Sequence, residues 1–273
     1  MSFGYFFAFS ASAAIIGPGE NRMTYAEYAA KNYGGNVDRV YEKFSAAGRL
    51  FCSGSESSGA VVRRDDLLIV AAHAFFHKDN NGRCYPNENL GRCYFQRLNK
   101  KGFGRRISIL ANTIQVSTNF KCDFSHDFSR DWAIVRLSDR VSQVRPFEPL
   151  SKREDQEYAR LKRETITAFA AQTDNFKDGK SPSICDRKLG YIWTSNSHGI
   201  PQTNFSLGIE CSMGHGASGG AVVVGADEAS PTYIGLTTLG NDARFDSHWP
   251  FDIHNYTAGP FLQGEFYDTL MGM

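Results

Sequence analysis

The sequence is short of several things at once, and each shortage excludes something. Among 273 residues there is no surplus of either charge, with Lys+Arg at 30, Asp+Glu at 29 and a net charge of +1. A chain so balanced has no basic field to attract nucleic acid or an anionic membrane, and neither is expected as a partner. No Cys-x-x-Cys pair occurs, which removes zinc ribbons and thioredoxin-like redox motifs. No apolar run reaches the ~20 residues that a membrane-spanning helix needs. His73 and His77 stand four apart, but Ala-Phe-Phe lies between them where a zincin would carry a glutamate, so no metal and no cofactor are expected. Long helical patterns are also scarce.

What is present points to a β-rich, folded chain. Hydrophobic residues make up 41% and charged residues 22%, ordinary values for a globular protein of one large domain or two small ones around a cleft. Phe (21), Tyr (12) and Gly (26) are plentiful. The six cysteines, Cys52, Cys84, Cys93, Cys122, Cys185 and Cys211, are even in number and scattered, which fits structural disulfides in an oxidising compartment. The preferred pairs are Cys84–Cys93, closing a Gly/Asn/Pro-rich loop, and Cys185–Cys211; elimination leaves Cys52 with Cys122. The apolar stretch Gly4–Ile16 includes Ala11-Ser12-Ala13, similar to a signal-peptide cleavage site, although a basic leader is missing. A secreted or periplasmic location is expected, with a monomer as the working state.

Along the chain, Thr24-Tyr-Ala-Glu27 is a capping-box pattern, and Val37, Val40, Tyr41 and Phe44 recur at helical spacing. Residues 1–47 therefore read as a helical extension. From Leu50 the pattern changes to short apolar runs between turn residues. Ser58-Gly-Ala-Val-Val62 and Leu67-Leu-Ile-Val-Ala-Ala72 flank the turn Arg64-Asp65-Asp66. The second run ends in His73, a titratable ring delivered to a strand end. Asp131 directly precedes the run Trp132-Ala-Ile-Val135 and is drawn inward, whereas Asp123 and Asp127 lie in a polar loop. An ionised carboxylate taken into a core requires hydrogen-bond partners. Ser151–Lys162 is a charged helical stretch with Arg153, Glu157 and Arg160 spaced to pair on a solvated face. The texture changes again near residue 150, dividing a first β-rich half (48–150) from a second (151–273) that ends in a short helix.

In the second half, Cys211-Ser-Met-Gly-His-Gly-Ala-Ser-Gly-Gly-Ala-Val-Val-Val224 sets Ser218 among glycines ahead of a β-branched run. Glycine admits positive φ and leaves its N–H uncovered, so such a turn can offer a hydroxyl with backbone donors beside it. Acyl transfer needs that arrangement: a nucleophile, and donors for the oxyanion formed on attack.

Taken in order, Ala71-Ala-His73, Asp131-Trp-Ala-Ile-Val-Arg-Leu137, Gly216-Ala-Ser-Gly-Gly220 and Gly235-Leu-Thr-Thr-Leu-Gly240 resemble the trypsin-like serine proteases of the chymotrypsin fold. The likeness covers roughly residues 50 to 270 and is nearest in pattern to secreted bacterial members. It implies an all-β protein of two six-stranded antiparallel Greek-key barrels, with the helical extension in front and the short helix behind. It also implies a serine endopeptidase acting on protein or peptide substrates through an acyl-enzyme. His73 would be the general base, Asp131 its orienting partner and Ser218 the nucleophile. The N–H groups of Gly216 and Ser218 would form the oxyanion hole. Ser212 would lie at the base of the primary pocket, and Thr238, Leu239 and Gly240 would bind the substrate backbone. Three departures qualify the likeness. Ala217 replaces the Asp that precedes the nucleophile in that family, no Ile-Val-Gly-Gly activation terminus is present, and Thr237 stands where glutamate-specific members carry His. The first two argue against activation through a buried N-terminal amine paired to that Asp, and Thr237 with Ser212 points to a neutral, apolar or small side chain before the cleaved bond. Two rivals remain: a protease-like binding module without catalysis, and an esterase in which Gly216-Ala-Ser-Gly-Gly220 serves as an α/β-hydrolase elbow, with Asp246, His248 and His254 as its available partners.

Overall fold

The computed structural model describes residues 15–16, 21–79, 81–118, 120–122, 128–151, 161, 164–171, 182–194, 205–213, 216–226, 228–240, 248–249 and 257–273. Residues 152–160 and Lys162 of the expected charged helix, the Ala11-Ser12-Ala13 stretch, Asp123, Asp127, Asp246 and His254 lie outside these.

The apolar runs become strands, and six of them build the first sheet's barrel: β1 (Ala47–Cys52), β2 (Ser55–Val61), β3 (Leu67–Val70), β4 (Tyr94–Asn99), β5 (Ile107–Ser108) and β6 (Ala133–Arg136). Around the sheet they are ordered β6-β3-β2-β1-β4-β5. The edges meet where Ile109 bridges Leu137 and the Leu110 N–H donates to the Arg136 carbonyl at 2.8 Å. All four residues of Leu67–Val70 are buried, which explains an apolar run without alternation. The second sheet contains β7 (Thr165–Ala170), β8 (Ser183–Thr194), β9 (Phe205–Ile209), β10 (Ala221–Val224), β11 (Thr232–Leu236) and β12 (Thr257–Phe261). Their order is β11-β10-β7-β8-β9-β12, and pairing of Gly235 with Phe261 closes the ring. In each half the third strand is followed by a crossover to the far side of the first, a Greek-key step. The two halves therefore share one topology although no repeat is visible in their residues. This is the two-barrel chymotrypsin-like architecture that the motif order implies.

The extension forms α1 (Tyr25–Asn32) and α2 (Val37–Lys43). The capping box is made as expected: Glu27 N–H donates to the Thr24 hydroxyl at 3.2 Å, and Thr24 N–H to the Glu27 carboxylate at 2.8 Å. Phe44, just past α2, packs on Phe169 of β7 with centroids 4.9 Å apart, so the extension contributes to the core of the second barrel. At the other end α3 (Glu265–Gly272) lies against the first barrel, where Phe266 stacks on Trp132 at 4.9 Å. No helix among the described residues is long and apolar enough to cross a membrane.

The disulfides correct two expectations. Cys185–Cys211 forms as expected, but the others are Cys52–Cys93 and Cys84–Cys122, not Cys84–Cys93 and Cys52–Cys122. Strand register accounts for the first. Phe51 lies opposite Tyr94 in the antiparallel β1–β4 pair, so the next rung sets Cys52 against Cys93 with a Cα separation of 4.3 Å. For the second, a small hairpin pairs Phe76–Lys78 with Cys84–Pro86, and the Cys122 sulfur lies 3.5 Å from the His77 carbonyl oxygen in that hairpin. Loop composition had favoured the wrong partner because a non-local strand pairing decides it. Mass mapping of unreduced protein is expected to recover peptides joined 52–93, 84–122 and 185–211; a Cys84–Cys93 peptide would contradict this register.

Candidate active site

β3 and β6 run antiparallel with Val70 opposite Ala133, so the chain leaving β3 and the chain entering β6 emerge side by side. The first turns through a short 3₁₀ segment, Ala72–Ala74, and the second carries Asp131. Two hydrogen bonds join them. The His73 backbone N–H donates to Asp131 Oδ1 at 2.9 Å, and His73 Nδ1 lies 2.6 Å from Oδ2. A carboxylate only accepts, so Nδ1 carries the proton and Nε2 is the basic nitrogen of the neutral ring. Asp131 is fully buried whereas the His73 side chain keeps 20% of its exposure: the carboxylate is held in protein and the imidazole reaches the surface of the cleft. Burial by itself depresses the imidazole pKa, but the Asp131 charge and hydrogen bond outweigh it, and the net shift is upward. The stack of Trp132 on Phe266 backs this segment. Glu265 adds to it, accepting from the Ser117 hydroxyl at 2.8 Å and the Thr118 N–H at 2.7 Å.

Ser218 stands at the entry to β10, which pairs with β11 so that Ala221 faces Leu236. Residues 218–220 and 237–239 are therefore adjacent, joined by Gly219 N–H to Thr237 O at 2.7 Å and Thr237 N–H to Gly220 O at 2.8 Å. Gly219 has φ +85°, and a Cβ there would stand 2.1 Å from the Ser58 carbonyl oxygen and 3.1 Å from the Ala71 nitrogen. Only glycine fits, because the serine turn is pressed against the first barrel two residues before His73. Ser58 stitches this seam. Its N–H donates to Ser218 O at 2.8 Å, its hydroxyl to Gly216 O at 2.8 Å, and its oxygen accepts from Ala171 N–H at 2.9 Å. Gly216, at φ +88°, and Ser218 use their N–H groups in no hydrogen bond among the described residues, leaving two donors beside the hydroxyl. That hydroxyl donates to the Thr238 carbonyl at 2.9 Å. It has one proton, so in this rotamer the proton is directed to Thr238 and not to His73.

Ser212 is fully buried, and its N–H donates to the Asn21 side-chain oxygen at 2.8 Å. Thr238 is buried, its N–H donating to Ala258 O at 2.9 Å; Leu239 and Gly240 pair with Ala258 and Thr257 of β12. Thr237 is buried too, its hydroxyl donating to the Ala217 carbonyl at 2.7 Å, so it braces the serine turn. Sequence reasoning missed Ser58 and Asn21. A Ser-Gly pair inside an apolar run does mark close backbone approach, but nothing in it names the partner. Among the described residues no three His, Cys, Asp or Glu side chains converge on a possible metal site.

No protein-family model matches the chain and no curated relative does. Solved structures do. A thermostable serine protease, AL20, from an extremophilic microorganism superposes with a TM-score of 0.54 at 16% identity, over 84% of this chain and 95% of that one. Protease Anisep from Arthrobacter nicotinovorans gives 0.56 at 17%, over 82% and 93%, and a Glu endopeptidase solved with MPD gives 0.58 at 10%, over 94% and 98%. At such identities the likeness is one of fold, and the chain has the two-barrel serine-protease fold nearly end to end.

Proposed function

We propose that the chain is a serine endopeptidase that hydrolyses peptide bonds through an acyl-enzyme. One observation carries the reading: a buried carboxylate holds His73 by its backbone N–H and its ring Nδ1, with the Ser218 turn packed across the seam beside it. Asp131 holds His73 with Nδ1 protonated, Nε2 takes the Ser218 proton during attack and returns it to the leaving amine. The Gly216 and Ser218 N–H groups, which make no hydrogen bond among the described residues, receive the oxyanion. Rotation of the Ser218 hydroxyl from Thr238 towards His73 exchanges one hydrogen bond for another between staggered wells, a change of about 1 kcal/mol or less. Ser212 forms the floor of a neutral pocket for small or apolar side chains, and Thr238, Leu239 and Gly240 line the substrate backbone. Three disulfides support work in an oxidising compartment, secreted or periplasmic.

The hydroxyl's bond to Thr238 is the observation favouring the rival, a protease-like binding module without turnover. A fluorophosphonate probe separates the two. Stoichiometric labelling of Ser218, abolished in Ser218→Ala and strongly reduced in His73→Ala, is expected of the enzyme; an unlabelled wild type means a binding module. The α/β-hydrolase version of the esterase reading loses its basis, since Ser218 leads into antiparallel β10, where the elbow requires a helix.

A further inference from the structure

We infer that Asn21 is a positioning residue for the primary pocket: its carboxamide fixes the Glu210–Ser212 segment and thereby sets where Ser212 sits, an inference that rests on the protease reading of Ser218. β9 loses its ladder partners beyond Ile209, which is the last residue paired with both β8 and β12. The chain continues inward, and Ser212 is fully buried, so its backbone N–H needs an acceptor inside the protein. Asn21 supplies it, and a donor to Glu210 besides. Its Nδ2 donates to the Glu210 carbonyl at 2.9 Å, and its Oδ1 accepts from the Ser212 N–H at 2.8 Å. Bonding the carbonyl of one residue and the N–H of the residue two further on is what a single residue of a parallel neighbouring strand does. One side chain therefore does the work of a short parallel strand beside residues 210–212. The opposite edge is held by the Thr257 hydroxyl, which donates to the Cys211 carbonyl.

Asn21 is itself fixed. It is nearly buried, and two residues later Met23 pairs with Ile184 of β8 through bonds of 2.7 and 2.9 Å. Asn21–Met23 thus straddles the Cys185–Cys211 disulfide, gripping residue 184 on one side and residues 210 and 212 on the other. The Thr24 capping box follows at once, so the chain leaving Asn21 is held at two successive points. The N-terminal extension is by this account a working part of the pocket rather than a detachable addition.

The test uses the full chain with Asn21→Ala and Asn21→Asp. It measures kcat and KM on peptide anilides that differ only in the residue before the cleaved bond (Ala, Leu, Phe), and the labelling rate by a small alkyl fluorophosphonate that leaves the pocket empty. Asn21→Ala is expected to lose about tenfold or more in kcat/KM on the best substrate, mainly through KM, and to level the preference across the series. Fluorophosphonate labelling should stay within about twofold of wild type, because the reacting groups have not moved. Asn21→Asp keeps the acceptor for Ser212 N–H but turns an oxygen towards the Glu210 carbonyl, and should fall between the two. Unchanged KM and unchanged ranking in Asn21→Ala overturn the role, as does a uniform fall that includes the labelling rate. Failure of both variants to fold makes Asn21 a folding residue and also overturns it. A wild type that neither labels nor cleaves overturns the protease reading and the pocket role with it, whereas an active wild type matched by Asn21→Ala overturns the role alone.

Discussion

Ser218→Ala is expected to lower kcat on a peptide substrate by about 10⁵- to 10⁶-fold while leaving KM within a few-fold. The hydroxyl's bond is to Thr238, within the protein, so its loss removes the nucleophile and little ground-state affinity. His73→Ala should cost nearly as much, and the double variant little more than either alone, because base and nucleophile act as one unit. Stability should hardly change: Ser218 is only partly buried, and the lost hydrogen bond is worth about 1 kcal/mol. Single-turnover measurements with an activated ester would add a burst of acyl-enzyme in wild type and none in Ser218→Ala. Appreciable turnover by Ser218→Ala would place the nucleophile elsewhere and end the assignment.

The elements that carry the proposed chemistry were legible because each is announced by a local break in pattern. His73 ends an unbroken apolar run, Asp131 precedes another, and Ser218 stands in a glycine turn before a third. Strand pairing sets His73 beside Asp131, since β3 lies against β6, whereas the Ser218 turn meets the first barrel through the Ser58 and Gly219 contacts across the seam. The disulfides were less legible, since Cys52–Cys93 depends on the β1–β4 register, and that register comes from which strands the Greek-key crossover makes neighbours. Ser58 and Asn21 were not legible at all. Each acts by completing backbone hydrogen bonds of residues 113 or more positions away, and no local periodicity encodes a partner at that distance. The resting Ser218 rotamer was unreadable for a similar reason, as it depends on a carbonyl twenty residues later.

Asp131→Asn should lower kcat about 10⁴-fold and shift its pH dependence, and the two effects have separate causes. The asparagine oxygen can still accept from the His73 backbone N–H, so the turn survives. An amide NH₂ presented to Nδ1 is a donor, however, and favours the ring with its proton on Nε2, which cannot take a proton from Ser218. In wild type the imidazole pKa is raised: burial lowers it, and the Asp131 charge and hydrogen bond more than reverse that. The base must be neutral, so the acid limb of kcat/KM is expected above the ordinary histidine value of about 6.5. With the charge removed, only the effect of burial remains, and the limb should move below that value. Stability follows with a definite sign. A group whose folded pKa is raised contributes stability that is complete below its unfolded value of about 6.5 and is lost as pH rises through the folded value. Wild type should therefore lose this increment on going from about pH 6 to about pH 9, and Asp131→Asn should not. A variant that kept its rate would disprove the orienting role of Asp131. One that lost its rate while the acid limb stayed in place would show that the carboxylate orients the ring without setting its charge.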